Sequence, residues 1–252
     1  MLNFAANLTW LFQEWPFLDR FAAAADAGFT AVEYLFPYEH PPEEIARRLA
    51  RHNLKQVLFN LAPGDFAGGD RGIATFPDRR DEFRAAIATG LTYARSTGTP
   101  RLHLMAGAAS GPEALACYRD SIKFTCEAAA KQGIDILIEP INNNDIPGYL
   151  MNDFGLAERL IAELNLPNFW LQFDIYHRQR LHGEVTRGLE ALLPITRHMQ
   201  IASAPFRREP TTGELDDRHI LRLVERLGYT GFSGCEYGTA NGTLEGLSCM
   251  KG

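Results

Sequence analysis

Short apolar runs return along the chain every few tens of residues, and each is followed by a longer stretch whose apolar positions recur at helical spacing. The runs are LNFAAN (2–7), TAVEYLF (30–36), KQVLFN (55–60), RLHLMAG (101–107), DILIEP (135–140), FWLQFD (169–174), HMQIA (198–202) and FSGCEY (232–237). Between them lie amphipathic segments such as PFLDRFAAAADAG, PPEEIARRLARHN, DEFRAAIATGLTYARSTG, GPEALACYRDSIKFTCEAAAKQG and DRHILRLVERLG. Several close on glycine just ahead of the next run, at Gly28, Gly98, Gly133 and Gly228, the usual signal of a helix C-terminus. Strand alternating with helix predicts a parallel sheet. Eight such units in 252 residues predict an α/β fold, one closed (β/α)8 barrel that takes residues 1–252 as a single domain. An open doubly wound sheet would ordinarily carry a glycine-rich phosphate loop after its first strand. Here that segment reads NLTWLFQEWPF, with no glycine.

Two connections are longer than helix caps require, LAPGDFAGGDRGIATFP (61–77) and SAPFRREPTTGELD (203–216). Both follow strands, which assigns them to the C-terminal face, where barrels place their sites. The first lacks the GK[ST] of a phosphate loop and reads equally well as a surface connection or as a lid over a ligand.

Composition narrows the function classes. The chain is 46% hydrophobic and 22% charged, ordinary for a globular protein with a sizeable core. A net charge of −6 without any basic block argues against nucleic acid as a partner. No run approaches the roughly 18 apolar residues of a membrane span. The start, MLNFAANLTWLFQEW, lacks the basic residues and cleavage site of a signal peptide, so a cytoplasmic location is expected. Cys117, Cys126, Cys235 and Cys249 show no CxxC spacing and are expected to be reduced thiols rather than a zinc cage or disulfides.

The candidate chemistry lies at the strand ends. Glu139 ends the fifth run, Asp174 the sixth and Glu236 the eighth, while Gln200 sits within the seventh. In a barrel these ends converge. Three carboxylates meeting in a partly buried space repel one another, so each must take up a proton or share a cation. An oxygen-only set with one neutral amide suits Mg²⁺ or Mn²⁺ better than zinc, so a divalent metal site is expected. His177, three residues past Asp174, either reaches a ligand bound there or caps the next helix. Arg207 or Arg208 offers a positive charge over the mouth of the site to an anionic substrate, or else is a surface arginine. His103, Glu33 and Asn60 are expected either to line the pocket or to serve as structural hydrogen-bonding groups. His198, two residues before Gln200, points to the same side of the sheet but deeper, and is not assigned as a ligand. Trp10, Phe12 and Trp15 either wall a small pocket or cover the barrel.

With these residues aligned, the chain resembles the hydroxypyruvate isomerase family, within the xylose isomerase-like TIM barrels that include the ketose 3-epimerases. The resemblance runs almost end to end. It is carried by FAANLTWLF, VEYLFPY, LFNLAPGD, LHLMAG, LIEPIN with DIPGY, LQFDIYH, HMQIA, P-x-R-x-EP-x-x-GE and GCEY. It implies a divalent metal held at Glu139, Asp174, Gln200 and Glu236, with Glu139 and Glu236 as the acid–base pair. It also implies substrate contacts from Asp145, His177 and Arg207. The epimerase branch has a histidine where this chain has Gln200, which points towards the hydroxypyruvate isomerase side. Two departures stand out. Arg208 occupies a position where a histidine is expected, and the tail GTANGTLEGLSCMKG lacks a basic or proline-bearing continuation.

The implied reaction interconverts hydroxypyruvate and tartronate semialdehyde through an enediolate, with Arg207 meeting the substrate carboxylate. Its partner is a small hydroxy-oxo acid; neither nucleic acid nor membrane is expected, and association into a homo-oligomer is left open. Rival expectations are a 2-oxo-tetronate isomerase, a ketose 3-epimerase and a repair nuclease on the same barrel. A nuclease would need several strand-end histidines and a basic surface. A sugar-acid binding protein is the non-enzyme alternative.

Overall fold

The computed structural model describes residues 2–247. Eight strands form a closed parallel barrel in sequence order: β1 (Asn3–Asn7), β2 (Ala31–Tyr34), β3 (Lys55–Asn60), β4 (Arg101–His103), β5 (Asp135–Ile138), β6 (Phe169–Asp174), β7 (Thr196–Ile201) and β8 (Phe232–Cys235). The ring shuts where Asn3 to Ala6 of β1 pair with Phe232 to Cys235 of β8. Outside it lie α1 (Arg20–Asp26), α2 (Pro42–Arg51), α3 (Arg80–Thr97), α4 (Gly111–Ala130), α5 (Phe154–Leu164), α6 (Ile175–His182), α7 (Val185–Leu192) and α8 (Asp217–Arg226), with a short α9 (Thr243–Gly246) after β8. Helices cover one face of the sheet and side chains fill the other, which is why the strands read as near-continuous apolar runs. Helix α2 shows how the local sequence sets its element. Glu43 and Glu44 open it, Arg48 and Arg51 close it in accord with the helix dipole, and Ile45 and Leu49 bury one face.

The single-barrel expectation holds, with shorter strands than the runs suggest. β4 ends at His103, and Glu139 and Glu236 each stand one residue beyond their strands. Gly98 takes a left-handed conformation (φ 69°) at the end of α3, the geometry that a glycine cap serves. Among the described residues no helix is long and apolar enough to cross a membrane. Cys126 and Cys235 are buried and Cys117 is half-buried; Cys117 and Cys126 are free thiols. Cys249 and the end of the tail lie outside the described residues.

Candidate active site

At the C-terminal end of the barrel Glu139, Asp174 and Glu236 converge, each at most 5% exposed. Asp174 is at once the last residue of β6 and the N-cap of α6, its Oδ1 accepting from the Tyr176 N–H at 2.7 Å. Its Oδ2 faces His177 and Arg207 instead. The loop 203–216 folds back over this end as a hairpin: the Ser203 N–H donates to the Arg208 carbonyl, and the Gly238 N–H to the Arg207 carbonyl, both at 2.9 Å. Arg207 sits in the left-handed region (φ 53°), which costs a non-glycine residue roughly 1 kcal/mol. That strain is matched by what its side chain does. Arg207 Nη2 lies 2.9 Å from Glu236 Oε2 and 3.4 Å from Asp174 Oδ2, and Nη1 lies 3.4 Å from Asp145 Oδ2. The rings of Trp10 and Tyr176 flank the guanidinium at 4.9 and 5.0 Å. Arg208 turns outward to the Thr239 carbonyl.

His177 enters from the first turn of α6, its Nε2 3.6 Å from Asp174 Oδ2 and 3.8 Å from Glu139 Oε1. Its protonation is set by Asn142. The Asn142 side-chain oxygen accepts from the Asn144 and Asp145 N–H groups at 3.1 and 3.2 Å. That orients the amide so that its Nδ2, 2.8 Å from His177 Nδ1, donates to the ring, and the Asn142 N–H donates there as well at 3.3 Å. Two donors on Nδ1 make it the acceptor, so the neutral ring carries its proton on Nε2, facing the carboxylates. Burial, followed by the charge of Arg207, holds the His177 pKa well below its ordinary value, so the ring stays neutral.

Burial is also the main reason the carboxyl groups of Glu139, Asp174 and Glu236 are shifted up. For Glu139 the charges of Glu236 and Asp174 add to it, while Arg207 opposes. His103 from β4 places Nδ1 3.5 Å from Glu139 Oε2, and burial lowers its pKa to about 3. The result is a buried cluster of carboxylates facing one guanidinium, with both histidines neutral. Glu139 and Asp174 bring carboxylate oxygens within 4.8 Å of each other and of a His177 ring nitrogen, with the ring presenting its N–H to them, and Glu139 Oε1 is buried without a hydrogen-bond partner. This grouping fits a metal ion: an oxygen-rich, negatively charged set whose repulsion a cation relieves.

Below the cluster is a second polar layer. Glu33 reaches across the barrel interior, taking hydrogen bonds from Asn7 Nδ2 at 2.9 Å and Gln200 Nε2 at 2.8 Å, with His198 Nε2 at 2.6 Å from its other oxygen. Gln200 pairs in register with Asp174, as its place in β7 predicts. Its amide is nonetheless turned into this layer, the oxygen accepting from Gln172 Nε2 at 2.7 Å.

The cavity above the strand ends holds about 190 Å³. Of the sequence candidates, Glu139, Glu236, Asp145, His177, Arg207, His103 and Asn60 all line it. Glu33, Gln200 and His198 do not; they belong to the layer beneath. The aromatic trio divides. Trp10 walls the cavity, Phe12 is fully buried against Phe29, and Trp15 lies at the surface. Sequence reasoning missed Asn142, Tyr176, Phe66 and Arg71. The last two come from the loop 61–77, which is a braced wall. Asp70 Oδ2 accepts from the Asp65 N–H and pairs with Arg79, both at 2.7 Å. A Cβ on Gly72 would stand 2.6 Å from the Met105 carbonyl oxygen, so the loop packs backbone to backbone on the segment after β4.

Comparison with known proteins identifies relatives along the whole chain. The xylose isomerase-like TIM barrel family matches residues 21–252. A 2-oxo-tetronate isomerase from Cupriavidus necator is 44% identical, covering 100% of this chain and 98% of its own. A hydroxypyruvate isomerase from Escherichia coli is 39% identical, covering 99% and 98%. A crystal structure described as an AP endonuclease, family 2, from Brucella melitensis superposes with a TM-score of 0.97 at 40% identity, covering 100% and 98%. A D-allulose 3-epimerase from Methylomonas sp., at 20% identity, covering 98% and 88%, and a TM-score of 0.76, shares the fold. By the matched family and by its full-length relatives, this chain belongs to the xylose isomerase-like TIM barrels.

Proposed function

We propose that this protein is an isomerase that moves a carbonyl between adjacent carbons of a short hydroxy-oxo acid, interconverting hydroxypyruvate and tartronate semialdehyde. The observation that carries the reading is the meeting of Glu139 and Glu236, from two different strands, in one cavity with His177 and Arg207. Isomerisation requires one group to take a proton from the hydroxyl-bearing carbon and one to return a proton to the former carbonyl carbon. Glu236 Oε2, beside the Arg207 guanidinium, is the better-held anion and takes the proton. Glu139, the second carboxyl group lining the cavity, returns one. His177 Nε2–H donates to the substrate oxygen on which charge develops, and its tautomer is fixed before substrate arrives. Asp145, held by Tyr176 Oη at 3.0 Å, accepts from a substrate hydroxyl.

Glu139, Asp174 and Glu236 are the groups that would hold a divalent ion, Mg²⁺ or Mn²⁺. Gln200, whose amide is turned into the layer beneath, is the fourth ligand only if that amide turns its oxygen towards them. Such an ion, when bound, stabilises negative charge on the paired substrate oxygens.

The names of the relatives support both a three-carbon and a four-carbon acid as substrate. Turnover measured across a panel of three- and four-carbon hydroxy-oxo acids, with a neutral ketose as comparison, tests the reading. Conversion of an oxo acid is expected. Conversion of the ketose alone would assign the site to sugar epimerisation, and tight binding without conversion would make the protein a binding protein.

A further inference from the structure

Two cations line the candidate cavity, and only one is committed to carboxylates. Arg207 is paired with Glu236, Asp174 and Asp145. Arg71, on the wall formed by the loop 61–77, is not. Its Nη1 donates to the Phe66 and Asp70 carbonyls at 3.0 and 2.7 Å, and its guanidinium carbon lies 4.0 Å from the centre of the Phe66 ring. Among the described residues Arg71 makes no ion pair with a carboxylate, and the adjacent Asp70 is bridged to Arg79 instead. The loop that carries it is held by the Asp65–Asp70 bonds and by the close backbone contact at Gly72. Arg71 is thus a fixed charge with one edge of its fork bound and the rest of its donors uncommitted.

We propose that Arg71 receives the carboxylate of the substrate and makes the site selective for oxo acids over neutral hydroxy-ketones. The inference rests on the isomerase reading above and departs from the expectation that Arg207 has this role. An anionic substrate entering a cavity walled by Glu139, Glu236 and Asp145 is repelled wherever its own carboxylate approaches them. The orientation that avoids this puts the carboxylate at the loop wall and the reacting carbons at the strand ends. A guanidinium fork there meets a carboxylate with two parallel hydrogen bonds, which fixes the substrate's direction as well as its charge.

The test compares hydroxypyruvate with dihydroxyacetone, in which a hydroxymethyl group replaces the carboxylate. Binding by calorimetry and turnover are both measured, in the presence of Mg²⁺, for the wild type, Arg71→Gln and Arg71→Lys. Arg71→Gln is expected to weaken hydroxypyruvate roughly 10- to 100-fold while changing dihydroxyacetone less than about twofold, with Arg71→Lys, which keeps the charge but loses the fork, recovering part of the loss. If dihydroxyacetone does not bind the wild type, a loss in Arg71→Gln that Arg71→Lys partly recovers supports the proposal, and equal losses overturn it. Equal losses for both ligands mean that Arg71 only holds its loop, and an unchanged hydroxypyruvate affinity in Arg71→Gln removes the residue from recognition; both overturn the proposal. Arg71-dependent binding of hydroxypyruvate without turnover sustains this inference and rejects the isomerase reading. Turnover that ignores the Arg71 substitutions does the reverse. If the wild type binds neither ligand, both fall.

Discussion

A Cβ on residue 234 would stand 2.2 Å from Oε1 of Glu33, so Gly234 on β8 leaves the space through which the Glu33 carboxylate crosses to β7. The polar layer beneath the candidate site depends on that missing side chain. Gly234→Ala is expected to lower stability to urea by roughly 1 to 3 kcal/mol, because the carboxylate must shift off Gln200 and His198 within a packed interior. An unchanged midpoint would mean that Glu33 moves without cost.

Asn142 is expected to act on catalysis through His177. Replacing it with Leu removes the side-chain donor to Nδ1, and replacing it with Asp turns that contact into an acceptor, which calls the ring proton to Nδ1. Both variants should lose roughly 10-fold or more in turnover with thermal midpoints near the wild type. Nitrogen NMR of the His177 ring reports the cause: a bare Nδ1 in the wild type and a protonated one in Asn142→Asp. The same ring state in both would reject the assignment.

Asp217 gives a pH dependence that lies away from the site. It is buried at the start of α8, with Oδ2 accepting from the Thr211 N–H at 2.6 Å and Oδ1 without a partner. Burial raises its carboxyl from 3.8 to about 6, and the Thr211 bond opposes the shift. The folded pKa lies above the unfolded one, so the folded chain holds the proton more tightly. Its stability contribution is full below about pH 4 and is lost as pH rises through about 6. Asp217→Asn keeps an acceptor for Thr211 and cannot ionise. The stability of the wild type minus that of the variant should fall between about pH 4 and pH 7 in urea titrations. A constant difference would show that Asp217 titrates as an exposed acid does.

The fold was legible because parallel strands buried on both faces leave apolar runs that need no tertiary information to see, and the carboxylates that end those runs were legible for the same reason. What the chain did not disclose depends on contacts far apart in sequence. The choice of Arg207 over Arg208 is made by the bond from the Gly238 N–H, and the inward turn of Gln200 by Gln172 and Glu33. Arg71 and Phe66 lie in a glycine-rich loop with no periodicity, where neither exposure nor direction follows from spacing. Asn142 is one of three successive asparagines, and only the turn that binds its oxygen singles it out.

Glu139 and Glu236 are expected to pass protons to and from a hydroxy-oxo acid. Proton NMR of hydroxypyruvate in D₂O tests this most directly, with the wild type in Mg²⁺, with the wild type in excess chelator, and with Glu139→Gln and Glu236→Gln. The wild type should release one hydroxymethyl hydrogen to solvent and place deuterium on the former carbonyl carbon as product forms, chelator should suppress this exchange, and each variant should lose at least about 100-fold while keeping its fold. Exchange at near wild-type rates in both variants would mean that neither carboxyl group moves these protons.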